Sequence, residues 1–153
     1  MGDPPPSDEL LRAPLTIEYG FNRTTGPVIG AFLTALREGR VLGIRDTAGR
    51  VVCPPVEYDP ANGAPLTEMV EVGTEGEVTT WSWVAHTRRG QPLGGPHALA
   101  LVRLDGADTA MLHVIDAPGP EAVRTGARVR VRWREQREGL IDDIECFELV
   151  EAS

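Results

Sequence analysis

The stretch Ala127-Arg128-Val129-Arg130-Val131-Arg132-Trp133-Arg134 alternates without a break. Successive side chains of an extended chain point to opposite faces, so Val129, Val131 and Trp133 share one side and the four arginines the other. At helical spacing the same residues would be scattered around the whole circumference. The pattern predicts a strand backed by a core and fronted by water. Downstream, Ile144 to Val150 reads as the next strand. Asp142, Asp143, Glu145 and Glu148 would face the arginines if the two pair across Arg137-Glu138-Gly139, making a cross-strand charge ladder. Upstream, His97–Leu104 and Thr109–Ile115 are apolar runs joined by Asp105-Gly106-Ala107-Asp108, a hairpin signal. Glu77 to His86 is rich in β-formers and sets Trp81 and Trp83 on one face. The fold class expected is mainly β, with a five-stranded antiparallel OB-fold barrel.

The first half reads differently. Pro27 suits a first helical position, and Val28, Ile29, Phe32, Leu33 and Leu36 recur at helical spacing until Arg37 and Gly39 end the run. Val41-Leu42-Gly43-Ile44 and Val51-Val52-Cys53 flank Asp46-Thr47-Ala48-Gly49, which predicts a small hairpin. Pro54-Pro55 ends it, because proline cannot donate to a ladder. Thr16-Ile17-Glu18-Tyr19 alternates and would make a short edge strand or drape over a partner. Residues 1–15, with three consecutive prolines near the start, are expected to form a flexible arm.

Composition narrows the function classes. One hundred and fifty-three residues suffice for one ordinary core. All fifteen basic residues are Arg, against twenty-three acidic residues, for a net charge of −8. That balance works against nucleic acid and anionic membranes, and the absence of Lys excludes a lysine Schiff base. The longest apolar run, Ala98 to Val102, is far short of the ~20 residues that span a bilayer. Cys53 and Cys146 are too sparse for a disulfide framework, so a reducing, cytoplasmic setting is expected.

Candidate chemistry is thin. Four guanidinium groups on one strand face could grip phosphates, including those of a coenzyme A tail, or pair with the acidic strand. His86, His97 and His113 lack the spacing of a metal site. No nucleophile motif or phosphate-cradling loop is present. Cys53 has only Arg50 as a nearby cation and reads as inert. The loop Thr87 to Pro96 carries Arg88 and Arg89 and joins the first two barrel strands, the connection OB barrels use for ligands. It reads equally as a ligand or partner contact and as a solvated loop. The catalytic assignment is none.

Arg45-Asp46-Thr47-Ala48-Gly49-Arg50-Val51-Val52-Cys53-Pro54-Pro55-Val56-Glu57-Tyr58-Asp59-Pro60-Ala61-Asn62-Gly63 resembles the zinc ribbon of the acyl-CoA-associated OB-fold family. That family joins a rubredoxin-like ribbon to an OB barrel. Its ribbon runs Cys-x-x-Cys-Gly, Pro-Pro, then Cys-Pro-x-Cys-Gly. Gly49, Pro54, Pro55, Pro60 and Gly63 keep this register. The four ligand positions, however, hold Arg45, Ala48, Asp59 and Asn62. Phe32, Leu36 and Gly39 resemble the family's Phe-x-x-x-Leu-x-x-Gly opening, and the likeness continues through Ala98–Gly106 and Gly126–Val131. It implies a helix plus degenerate, metal-free ribbon over 16–68 and an OB-fold domain over 69–150. Arg and Ala cannot ligate zinc, so no metal and no cofactor are expected. The ribbon would be held by proline rigidity, turn hydrogen bonds and packing of Val51, Val52 and Tyr58.

Members of that family are accessory subunits of thiolase-fold enzymes, or appendages of hydratases, acting on acyl-CoA thioesters. Some partner aldolases shorten sterol side chains in actinobacteria, a source that an Arg-only, Ala-, Gly- and Pro-rich chain suits. The resemblance therefore implies a non-catalytic subunit of an acyl-CoA aldolase or thiolase, or of a hydratase. Pro54, Pro55, Tyr58, Arg88 and Arg89 are its expected partner or ligand contacts. Two other classes stay open: a single-stranded nucleic-acid-binding OB protein, and a small stand-alone acyl-CoA hydrolase or isomerase. The first needs a basic groove with aromatics; the second needs convergence such as His86 with Asp116.

Overall fold

Pro27 lies in the first turn of α1 (Gly26–Arg37), where its missing N–H costs no hydrogen bond. The helix ends as the sequence predicts: Glu38 donates its N–H to Ala35 at 2.9 Å, and Gly39 takes a left-handed φ of 76°. Its buried stripe serves two clusters. Val28 packs with Ile44 and Leu66, whereas Phe32 and Leu36 enter the main core. The structure is a computed structural model that describes residues 13–22 and 24–150; most of the expected arm, residues 1–12, lies outside the described residues.

After α1 comes a three-stranded antiparallel sheet of β1 (Val41–Arg45), β2 (Val51–Val52) and β3 (Met69–Val72), in the order β2-β1-β3. Ile44 pairs with Val52 across one edge of β1 and with Met69 across the other. β2 is short because Pro54 and Pro55 follow Cys53; the Cys53–Pro54 bond is cis. No side chain fits at Gly43, where a Cβ would stand 2.8 Å from the Val52 carbonyl oxygen.

The barrel consists of β4 (Glu75–Val84), β5 (His97–Leu104), β6 (Met111–Asp116), β7 (Arg128–Trp133) and β8 (Ile144–Leu149). It closes in the order β4-β5-β6-β8-β7. A bulge between Val78 and Thr80 bends the long β4, which pairs with β5 along its length and with β7 at its start. The interior is built from Val78, Ala100, Val102, Ile115, Val129 and Phe147. Trp81, Trp83 and Trp133 pack partly buried against the same core.

Two expectations need correction. The barrel is not wholly antiparallel: β6 and β8 run parallel, with Ile115 opposite Phe147 and Asp116 opposite Glu148. Strand directions cannot alternate all the way round a closed ring with an odd number of members, so one parallel pair is unavoidable. The short edge strand at Thr16–Tyr19 is also absent, because residues 13–22 have no ladder partner among the described residues.

The sheet is fastened to the barrel along β2. Val51 donates its N–H to the Asp108 carboxylate at 2.7 Å and accepts the Asp108 N–H at 2.8 Å. Cys53 donates to the Thr109 hydroxyl oxygen, which donates back to the Cys53 carbonyl. The β5–β6 turn thereby covers an edge that would otherwise be open to pairing.

Candidate functional site

The four positions that correspond to zinc ligands lie on two facing turns, Asp46–Gly49 and Asp59–Gly63, apart from Arg45 at the end of β1. Asp59 is the hub. Its buried carboxylate accepts the Thr47 N–H at 3.0 Å, the Thr47 hydroxyl and the Ala61 N–H at 2.8 Å. Asn62 donates its side-chain amide to the Thr47 hydroxyl at 2.9 Å and accepts the Ala64 N–H. The Thr47 hydrogen bond, followed by those of the Ala61 and Thr47 backbone, holds the Asp59 carboxyl below the usual carboxylate range. Within the first turn, Asp46 accepts the N–H groups of Ala48 and Arg50 and pairs with the Arg50 guanidinium at 2.9 Å. Burial pushes Asp46 upward, but these Arg50 and Ala48 contacts outweigh it and hold the carboxyl low.

These residues do not fit zinc. Arg45 is spent on Glu68 at 2.8 Å and on the Gly49 carbonyl, Ala48 has no donor atom, and the oxygens of Asp59 and Asn62 face hydrogen-bond donors. Among the described residues, no three His, Cys, Asp or Glu side chains converge on a point that could hold a metal. Turn hydrogen bonds, buried Val51 and half-buried Val52 hold the two turns. Tyr58 does not pack there; it is 60% exposed.

The arginine face of β7 is fully answered by carboxylates. Arg128 grips Asp105 through both terminal nitrogens at 2.8 and 2.5 Å, and Arg130 meets Glu148 at 2.6 Å. Arg132 binds Glu145 at 2.7 Å and Asp116 at 2.8 Å, and Arg134 stands 3.8 Å from Asp142. Asp143 does not join the ladder. It is buried and accepts the backbone N–H groups of Glu138, Gly139 and Leu140, which closes the β7–β8 turn. Arg128 and Arg132 are each held by two carboxylate contacts, whereas Arg130 is bonded through Nε alone and Arg134 makes no side-chain hydrogen bond. The carboxylates that face all four weigh against the nucleic-acid reading and a coenzyme A grip on β7.

The remaining chemical candidates do not assemble. Burial pushes the Cys53 thiol up to about 12 and the Cys146 thiol up to about 11, so neither offers a thiolate at neutral pH. His97 is buried with Nδ1 2.8 Å from the Gly95 carbonyl. His113 lies edge-on to Phe147, and desolvation holds its imidazole below 6.5. His86 is exposed beyond β4, and Asp116 is engaged by Arg132. Among the described residues, no hydrogen bond joins these two.

The surface where OB barrels take ligands lies outside β5 and β6, between the β4–β5 and β7–β8 loops. Here Leu99, Leu112 and Ile141 line a groove of about 450 Å³ together with the charged side chains of Arg134, Asp142 and Glu145. Arg88 and Arg89 are exposed on the β4–β5 loop but do not line that groove. The expected contacts Pro54, Pro55 and Tyr58 sit elsewhere, beside the start of α1. Pro54 and Tyr58 are exposed, whereas Pro55 is buried and helps line a cleft of about 440 Å³ with Thr24, Thr25, Ile29, Val56 and Glu57. Of the five expected contacts, only Pro55 lines either groove. Leu15, Ile17, Tyr19 and Phe21, just before that cleft, are 83%, 73%, 78% and 75% exposed. The alternation at 16–19 was the sequence signal for this segment; nothing in it showed the role of Thr47.

The model of the ChsH2 C-terminal OB-fold domain matches residues 69–134. No curated protein matches by sequence. Among solved structures, a DUF35-family protein of unknown function from Sulfolobus solfataricus superposes with a TM-score of 0.60 at 19% identity, covering 82% of this chain and 85% of that one. A chain of the Ltp2-ChsH2(DUF35) aldolase superposes with a TM-score of 0.58 at 22% identity, covering 86% and 98%. At these identities the two structures establish a shared fold. The matched segment holds β4, β5, β6 and β7, so the barrel of this chain is similar to the ChsH2 C-terminal OB-fold domain.

Proposed function

We propose that this chain is a non-catalytic accessory subunit of an aldolase-type enzyme complex, and that its partner is a thiolase-fold enzyme acting on acyl-CoA thioesters. The observation that carries this reading is the match of 69–134 to the ChsH2 OB-fold domain. The near-complete overlap with a chain of an Ltp2-ChsH2(DUF35) aldolase supports it. The chemistry points the same way, since the thiols are held protonated and the arginines are internally paired. In this reading 16–68 is a ribbon that has exchanged its metal for the Thr47–Asp59–Asn62 hydrogen bonds, and 69–150 is the OB-fold domain.

Co-expression with thiolase-fold enzymes from the same organism tests the proposal. The chain and one such enzyme should co-elute, and that enzyme's solubility or turnover should depend on the chain. Separate elution at all concentrations, or acyl-CoA turnover by the chain alone, overturns it.

A further inference from the structure

Resting on that accessory-subunit reading, we propose that Leu15–Phe21 is a docking strand that adds to an open sheet edge of the partner enzyme. Leu15, Ile17, Tyr19 and Phe21 occupy every second position, with Thr16, Glu18 and Gly20 between them. In an extended chain the four apolar side chains share one face. The rings of Tyr19 and Phe21 do lie side by side, with centroids 6.3 Å apart and planes inclined by 32°. All four side chains are at least 73% exposed. Among the described residues, no backbone hydrogen bond is made by residues 13–22. This is the pattern of one face of a strand, with neither its ladder nor its floor. Four large apolar side chains in a row are not stable company for water, and an unpaired strand of this kind is an aggregation hazard unless something covers it.

Among the described residues nothing pairs with it: the barrel strands form a closed ring. Its gaps, where β4 leaves β7 after Glu77 and β6 meets β8 only at Ile115 and Asp116, take no strand from 13–22. The outer edge of β2 is taken by Asp108 and Thr109, and β3 has four residues against the seven of this segment, which would reach about 23 Å when extended. A second copy would bring together two chains of net charge −8, with Glu18 as the segment's own charge, and repulsion opposes that pairing. The occupant that fits is a different protein with an open sheet edge floored by apolar pockets at alternate positions, the usual mode of strand addition. Thr24, three residues after Phe21, lines the cleft of Ile29, Pro55 and Val56 at the start of α1, so the segment leads into that cleft along the chain.

The test uses the full chain and a thiolase-fold enzyme from the same organism. A variant carrying Leu15→Ser, Ile17→Ser, Tyr19→Ser and Phe21→Ser should fold with an unchanged thermal midpoint. It should bind the enzyme at least about 100-fold more weakly, because buried apolar anchors dominate interface energy. Amide hydrogen exchange gives a second readout: alternate amides within 15–21 should be unprotected in the isolated chain and protected in the complex. Full affinity of the variant, protection already present in the isolated chain, or dimerisation of the isolated chain through this segment would each overturn the docking strand alone. Failure of the unaltered chain to bind the enzyme would overturn the accessory-subunit reading and take the strand proposal with it.

Discussion

Thr47 donates its backbone N–H to the buried carboxylate of Asp59 at 3.0 Å, and so joins the turns Asp46–Gly49 and Asp59–Gly63. If this contact does the work of a metal, Asp59→Ala should lower the thermal midpoint and speed amide exchange at 46–50 and 59–64. Asp59→Asn, which keeps an acceptor oxygen, should do so less. A chelator should leave the midpoint of the unaltered protein where it was; a chelator-induced drop, or about one zinc per chain by elemental analysis, would show the clasp reading to be wrong.

Stability should fall with acid in two stages. The folded imidazole of His113 is held below 6.5 by burial, so as pH drops through about 6.5 the unfolded chain takes up a proton that the folded chain does not. Asp46, Asp59 and Asp143 are held below 3.8, so what they contribute is complete above about pH 5 and is lost as pH falls through 3.8 toward their folded values. Denaturant midpoints measured from pH 7 to pH 3 should show both stages, and His113→Leu should remove only the upper one. A flat profile between pH 7 and 5 in the unaltered protein contradicts the His113 assignment.

Phe32 is 4% exposed and enters the main core from α1. Phe32→Ala should cost about 3–5 kcal/mol in equilibrium unfolding. Tyr58→Ala, at a side chain that stays in solvent, should change stability by no more than about 0.5 kcal/mol. A loss below about 1 kcal/mol at Phe32 would mean that the helix is not docked as described.

Gly76 stands where β4 crosses β5 most closely. A Cβ there would lie 2.9 Å from both Leu104 Cα and the Arg103 carbonyl carbon, backbone atoms fixed by the barrel ladder. Gly76→Ala should therefore cost about 1–3 kcal/mol through overpacking. Gly94→Ala, which meets nothing within 4 Å, serves as the control. Equal midpoints for the two variants would show that the strands can part at no cost.

The strands and the helix were legible because each carries a local period. The arginine alternation at 128–134 put Val129 and Val131 inside, and both are buried. β3 was not legible: Met69-Val70-Glu71-Val72 is too short to show a period, and it becomes a strand because β1 supplies its ladder. The site was less readable still. Charge opposition between β7 and the acidic residues of the β8 region was visible, but Asp143 and Asp142 are adjacent in sequence. Only the fold turns the first onto backbone N–H groups and leaves the second to Arg134.

By itself the sequence determined what depends on neighbouring residues: the helix from Pro27, the turn at Asp46–Gly49 and five barrel strands. Tertiary structure alone decided what depends on residues distant in the chain. Closing five strands into a ring forced β6 and β8 to run parallel. The meeting of two turns gave Thr47 its carboxylate. The fastening of β2 to Asp108 and Thr109 used up one edge, while Leu15, Ile17, Tyr19 and Phe21 gained no partner within the described chain. Periodicity is a property of a few consecutive residues, whereas ring closure and edge occupancy arise only when remote segments meet.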